Sequence, residues 1–380
     1  MSGTRVNIWK QDPSVLSLGI RPAFIPNTPY KVRKGPRDAK IIMKGLPPVL
    51  PNENGDFLLY PADDSIAFDM VHTYAVVRQT LNMYFRGLRR LGSKSAFKWQ
   101  WGNAALRIYP RAGIDANAYY NRSEKSLKFF HFPSEFHDGR MVYTCRSFDI
   151  VAHEAGHAIL DALQPGYFHS WHPETGGLHE SFGDLTAIFT MLSQMDMCEA
   201  IISVSKLNLH AESFFTSLAE EFGEALYGRD TGLRNANNDL TMSDVTTQVH
   251  DISRVFTGAV YDILADIFEE HLDLEQYNPA ETLFRVGRYM LSFLIEAIRK
   301  GPAYEATFID IAELMILTMD GFPAWQDIAR QRFEERLILG SSMTRSIERP
   351  QEFDRSKCCG TMRGNEYQKL FSRSLKRALR

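Results

Sequence analysis

The chain has 380 residues, of which 44% are hydrophobic and 23% charged, and a formal net charge of −3. That length allows a substantial core and more than one lobe, and the near-neutral balance argues against a nucleic-acid partner held by overall charge. No apolar run approaches a membrane span, the first residues lack the basic-then-apolar pattern of a cleaved secretory leader, and Cys145, Cys198, Cys358 and Cys359 are too few and too scattered for a disulfide framework.

Residues 1–62 form the first unit. Nine of the 17 prolines fall within the first 63 residues, which predicts an extended arm with short edge strands such as Ile41–Met43. Such an arm serves as a brace or as an inhibitory cover. Residues 63–165 make the second unit. Asp63, Asp64 and Ser65 offer caps to a helix over Ile66–Leu88, whose apolar face carries Phe68, Val71, Ala75, Leu81 and Phe85. Phe97, Trp99 and Trp101 alternate, as do Leu106 and Ile108. With Asn117–Asn121 and Leu127–Phe132 they predict an antiparallel sheet with an edge to which an extended peptide can add.

The second unit ends in Phe148-Asp149-Ile150-Val151-Ala152-His153-Glu154-Ala155-Gly156-His157-Ala158-Ile159-Leu160. Apolar residues on both sides mark a buried helix. Residues four apart share a helical face, so His153 and His157 can aim two imidazoles at one metal ion. Glu154, off that line, can take a proton from a water beside the metal. Catalytic zinc takes three protein ligands, so a third is required. Asp161 lies about 6 Å further along a straight helix than His157, and a third histidine ten residues after His153 is excluded because position 163 is Leu163. Glu180 is the better candidate. It sits in Gly176-Gly177-Leu178-His179-Glu180-Ser181-Phe182-Gly183-Asp184, where Asp184, four residues on, can orient a ligating histidine.

Residues 166–340 read as a mainly helical third unit. Helices are predicted over Leu185–Met195, continuing the Glu180 helix, and over Ser213–Ala225, Val255–Phe268, Thr282–Arg299, Tyr304–Thr318 and Pro323–Leu337. A Gly-, Asn- and Asp-rich loop, Tyr227–Asp244, carries Arg229 and Arg234, and His250 precedes the Val255 helix. Residues 341–380 hold ten Lys/Arg against four Asp/Glu. This is a basic tail that reads as solvated, or as a contact for a partner or an anionic surface. Cys358 and Cys359 read as free thiols within it.

The two helical motifs resemble the thermolysin-like neutral zinc metallopeptidases of the gluzincin type, in which His-Glu-x-x-His is followed by a distant Glu ligand with Asp four later. Asn117-Ala118-Tyr119-Tyr120-Asn121 is similar to that family's substrate-binding edge strand, Leu233-Arg234-Asn235 to the segment whose Arg contacts the substrate carbonyl, and Val249-His250 to the one carrying a catalytic His. His179 stands where the family usually has Asn. The resemblance spans roughly residues 60–340. It implies an α+β, two-lobed fold, with an N-terminal sheet lobe ending in the zinc helix and a mainly helical C-terminal lobe.

The implied function is a zinc-dependent endopeptidase acting on peptides or proteins. One Zn²⁺ would be held by His153, His157 and Glu180, with Asp184 behind a ligand and Glu154 as general base. His250, with Asp244 or Asp251 nearby, and Tyr167 would bind the oxyanion, with Phe168 the alternative at the tyrosine's position. Asn117, Ala118 and Arg234 would bind substrate, whereas Arg229 reads as a surface residue. Ile150 and Leu233 would form an apolar pocket for a bulky residue after the scissile bond. Asp149 matches a calcium position, but Met191 stands where an acidic partner is expected, so the calcium site is expected to be reduced or absent. The zinc motif at 153 leaves little room for a long pro-segment, which fits a cytoplasmic enzyme or one exported without a cleaved leader. A dedicated processing protease with one target, an exopeptidase and a non-catalytic zinc-containing binding protein are the alternatives. The first two keep the same chemistry, and Glu154 has no purpose in the last.

Overall fold

The computed structural model describes residues 2–93, 98–134, 136, 138–228 and 232–340. Phe97, Arg229 and the basic tail with Cys358 and Cys359 lie outside the described residues. The arm begins with a hairpin, β1 (Gly3–Trp9) antiparallel to β2 (Ile20–Pro26). Its inner residues Val6, Ile8 and Ile25 are buried with the rest of the core. The hairpin packs on α1 (Ser65–Arg90). Of the three cap candidates, Asp64 is the one that accepts from the backbone N–H groups of Ile66 and Ala67. The predicted apolar face of α1 is buried, and so are His72, Thr73 and Arg78 on other faces, because helices and strands enclose it.

A four-stranded sheet runs in the order β3 (Ile41–Met43), β4 (Leu106–Tyr109), β6 (Ser126–Phe129), β5 (Ala118–Asn121). It is mixed. β3 pairs parallel with β4 and β4 parallel with β6, while β5 alone is antiparallel to its neighbour. The expected antiparallel sheet is therefore corrected, since apolar alternation encodes faces and not direction. β5 is an edge strand, as expected, and packs against the first zinc-motif helix. Leu127–Phe132 is divided between β6 and a separate hairpin of β7 (His131–Pro133) with β8 (Met141–Tyr143). Trp99 makes only an isolated bridge to Gly102 instead of a strand.

The helical part starts with α2 (Phe148–Leu163), a 3₁₀ turn over Pro165–His169, and α3 (Pro173–Leu192). α2 and α3 pack closely through glycines. A Cβ on Gly156 would meet Thr186 Oγ1 at 2.7 Å, and one on Gly183 would meet the His153 ring at 2.6 Å. α3 stops at Leu192, and the chain turns into α4 (Met195–Ser205) at 97°. No single described helix is long and apolar enough to cross a membrane, although this bent pair together reaches that length.

The helix expected over Ser213–Ala225 is replaced by a short strand β9 (Ser217–Leu218), then α5 (Glu220–Tyr227). Ala219 between them adopts a left-handed backbone at φ 56°, which no helix interior accommodates. β9 pairs with β10 (Arg234–Asn235), Leu218 opposite Arg234. α6 (Val249–Glu270) begins earlier than expected, capped by Gln248, so His250 falls in its first turn. α7 (Pro279–Lys300), α8 (Phe308–Thr318) and α9 (Pro323–Glu335) complete the described chain. Asn278 caps α7, and a Thr307–Asp310 capping box moves the start of α8 past Tyr304.

Candidate metal centre

α2, α3, β10 and α6 deliver the polar groups that meet inside this core. His153, Glu154 and His157 are buried on α2, and one ligand atom from each lies within 4.8 Å of the others. The two imidazoles stand perpendicular with ring centres 4.5 Å apart. Glu180 reaches them from α3. Its Oε2 is 3.7 Å from His153 Nε2, and its Oε1 is 3.6 Å from His157 Nε2. Tetrahedral ligands at metal–ligand distances of about 2.0–2.1 Å stand roughly 3.3 Å from one another, so these separations suit side chains that share a metal ion. His157 Nε2 and both Glu180 oxygens have no hydrogen-bond partner among the described residues. Buried polar atoms without partners are rare, and this set of nitrogen and carboxylate donors is of the kind that holds a metal ion.

The far side of each imidazole fixes which nitrogen faces the centre. His153 Nδ1 lies 2.9 Å from Asp184 Oδ1, so its N–H donates to the carboxylate and Nε2 keeps its lone pair. Asp184 is gripped in turn by Arg234, whose Nη2 lies 2.8 Å away. Burial alone would raise the Asp184 carboxyl, but Arg234 and His153 hold it below its ordinary value. His157 uses a different partner. Its Nδ1 is 2.9 Å from Nδ1 of His179, so with His157 donating, His179 must accept and carry its own proton on Nε2. Burial, with His153, His179, Arg234 and His250 nearby, pushes the His157 imidazole well below its ordinary value and keeps it neutral.

His250 enters from the first turn of α6, its Nε2 3.3 Å from Glu180 Oε2. Gln248 Nε2 donates to His250 Nδ1 over 2.9 Å, which puts the ring's own N–H on the side of the centre. The expected orienting carboxylates are corrected here. Asp251 binds Thr246 and Arg254, and Asp244 binds Thr241. Burial lowers the His250 pKa and outweighs the attraction of Glu180.

This architecture has a parallel among solved structures. No family model and no curated relative matches the chain. A structure described as the precursor of protealysin, a metalloproteinase from Serratia proteamaculans, superimposes with a TM-score of 0.51 at 13% identity, covering 77% of this chain and 84% of that one. The chain shares the fold of that precursor over most of its length.

The other candidate residues fall differently within that fold. Arg234 stands at the centre, but its guanidinium engages Asp184, with Nη1 3.9 Å from Glu180. The β9–β10 pairing brings it there. Ile150 is buried in the first turns of α2, and Leu233 is partly buried beside Arg234. Ala118 begins edge strand β5, and the backbone oxygen of Asn117 accepts from Phe130 N and Thr144 Oγ1. Tyr167 is not among the gathered groups. Its hydroxyl lies against Gly301, and its pKa is raised by burial and by Asp310. Phe168 takes the inner place, edge-on to His179 and Tyr120, and carries no hydroxyl. Asp161, set aside as a ligand, is held by Tyr120 at 2.5 Å and by Arg122, whose guanidinium lies 4.2 Å from the centre of the Phe168 ring.

Asp149 has acidic company that its sequence neighbours did not show. Met191 is buried in the core, and the acidic groups beside Asp149 come instead from the arm and α5. Asp12 Oδ1 accepts from Glu221 N, and Asp149 Oδ2 accepts from Ala219 N. Burial and the charge of Asp12 raise Asp149 to about 6, burial with Asp12 and Asp149 raises Glu220 to about 8, and burial with Asp12 raises Glu221 to about 7.

Proposed function

We propose that the chain is a zinc-dependent endopeptidase of the thermolysin-like type, built as two lobes with the centre between them. The observation that supports this reading is the approach of Glu180 to 3.7 Å from His153 Nε2 and 3.6 Å from His157 Nε2, with Glu154 beside His153 on the same turn and His250 Nε2 3.3 Å from Glu180. Two imidazoles and one carboxylate form a donor set that leaves a position open, which distinguishes a catalytic site from a structural one. Zinc, when bound, supplies Lewis acidity toward a substrate carbonyl and a nearby water.

The rest of the reaction falls to the chain's own groups. Glu154 takes the proton of the attacking water on its carboxylate and returns it to the leaving amine nitrogen as the C–N bond breaks. His250 Nε2–H donates to the oxygen on which negative charge develops. Asp184 and Arg234 hold the His153 ring, and His179 holds the His157 ring. β5, with Asn117 and Ala118, aligns the peptide backbone, and Ile150 and Leu233 favour an apolar residue after the cut. With Tyr167 turned away and Phe168 in its stead, oxyanion stabilisation rests on His250.

The test is digestion of a mixed peptide library by zinc-loaded protein beside Glu154→Gln. Cuts made by the wild type alone, mainly before apolar residues, support the proposal. Absence of cuts by both rejects a general endopeptidase and directs attention to a processing enzyme with one protein target.

A further inference from the structure

We propose that a cationic groove between α1, α7 and the end of α8 binds a small phosphorylated ligand bearing a planar ring. The groove has a volume of about 840 Å³ and is lined by Arg90, Arg285 and Arg288 together with Tyr289, Phe293 and Phe322. A second recess shares Arg90 and Arg288 with it and adds Arg86. This volume lies within the usual range of about 300–1,000 Å³ for small-molecule sites.

Charge is unbalanced there. Arg285 pairs with Glu281 at 2.6 Å; of the two acidic wall residues, Glu296 is occupied by Arg299 and Lys300, and Asp320 leaves the wall with an excess of positive charge against Arg90, Arg285, Arg288 and Lys300. Arg86, Arg90 and Arg288 have no ion-pair partner among the described residues. All three are exposed at the surface; partial desolvation, with Arg288 and Arg86 nearby, pushes Arg90 down to about 10, and partial desolvation with Arg288 lowers Arg86. Their guanidiniums are open to an anion from solvent.

The fork of Arg90 is already fixed, with Nε on Ser292 Oγ and Nη2 on the backbone oxygen of Arg288. Arg288 stands 5.5 Å over the Phe284 ring. Prearranged guanidiniums match the paired oxygens of phosphate, and two or three charges in so small a volume call for a phosphate ester or diphosphate in preference to one carboxylate. Tyr289 is exposed at the groove and stacks with Phe293, which offers a face to a planar ring. From Glu180 to Leu192, a wall residue of the second recess, α3 runs about 18 Å, so the two sites are separate.

The experiment is calorimetric titration of the zinc-loaded full chain, at about 0.15 M salt to screen loose surface attraction, with pyrophosphate, with adenosine diphosphate and with an acidic peptide. Wild type, Arg288→Gln and Arg288→Lys are compared. The expected result is one site per chain for both phosphate probes, weakened at least about tenfold in Arg288→Gln, partly restored in Arg288→Lys, with unchanged melting temperatures. Tighter binding of the nucleotide than of pyrophosphate supports the planar ring, and equal binding overturns that part of the proposal. No binding, binding unchanged in Arg288→Gln as zinc chelation would give, or binding of the acidic peptide only would overturn the proposal.

Discussion

Gly183→Ala is a one-carbon perturbation aimed at the metal centre through packing alone. In a helix interior this change ordinarily stabilises by about 0.5–1 kcal/mol. Here the new Cβ would stand 2.6 Å from both Nδ1 and Cε1 of His153. Ordinary carbon contacts are about 3.5 Å or more, so the ring must withdraw by about 0.9 Å. It cannot do so freely, because Nδ1 is bonded to Asp184 at 2.9 Å and Asp184 is clamped by Arg234. Overpacking costs about 1–3 kcal/mol, which leaves a net destabilisation of about 1 kcal/mol and a drop of a few degrees in melting temperature. The larger effect falls on the metal. A displaced ligand with a stretched supporting hydrogen bond should weaken zinc by about 10–100-fold. Competition with a fluorescent zinc chelator measures this, with Gly156→Ala as the comparison, since its Cβ meets Thr186 and not a ligand. Zinc affinity of Gly183→Ala within threefold of wild type would refute the packing argument.

Other consequences are equally open to measurement. The carboxyls of Asp149, Glu220 and Glu221 have folded pKa values above their unfolded ones, so between about pH 4 and pH 8 the folded state holds more protons and stability falls as pH rises. Melting temperature in calcium-free buffer should decline over that window, and Asp12→Asn should flatten the decline; an unchanged slope would show that the cluster is not responsible. His179→Leu removes the acceptor behind His157 and should lower zinc affinity about tenfold, while His179→Asn, which keeps an acceptor, should restore most of it. Gln248→Leu leaves the zinc ligands untouched but frees the His250 ring; kcat should fall about tenfold with little change in KM, and a reduced zinc content instead would assign Gln248 a structural role.

The parts of the centre that a reader of the sequence can find are those set by helical spacing. His153 and His157, then Glu180 and Asp184, are each four apart, and a helix turns that spacing into a shared face wherever it packs. Gly156 and Gly183 then allow the two helices to approach. What escaped sequence reading depends on distant pairing. Arg234 reaches Asp184 because β10 pairs with β9, and the left-handed Ala219 that breaks the expected 213–225 helix has no sequence signal. Parallel pairing of β3, β4 and β6 is invisible to alternation. The orientation of Tyr167 is decided by Gly301, far along the chain. Gln248, two residues before His250 at a helix cap, is legible locally, because an amide can orient an imidazole as a carboxylate does. The gathering of Asp12 with Asp149 is wholly a product of the arm's path.

The account stands or falls on the division of labour between Glu180 as ligand and Glu154 as base. Zinc content and affinity of wild type, Glu180→Gln and Glu154→Gln, read beside peptide cleavage by the same samples, test it directly. The account predicts one zinc per chain in wild type and in Glu154→Gln, strongly weakened zinc in Glu180→Gln, and cleavage by wild type alone. Full zinc affinity in Glu180→Gln, or undiminished cleavage by Glu154→Gln, would contradict it.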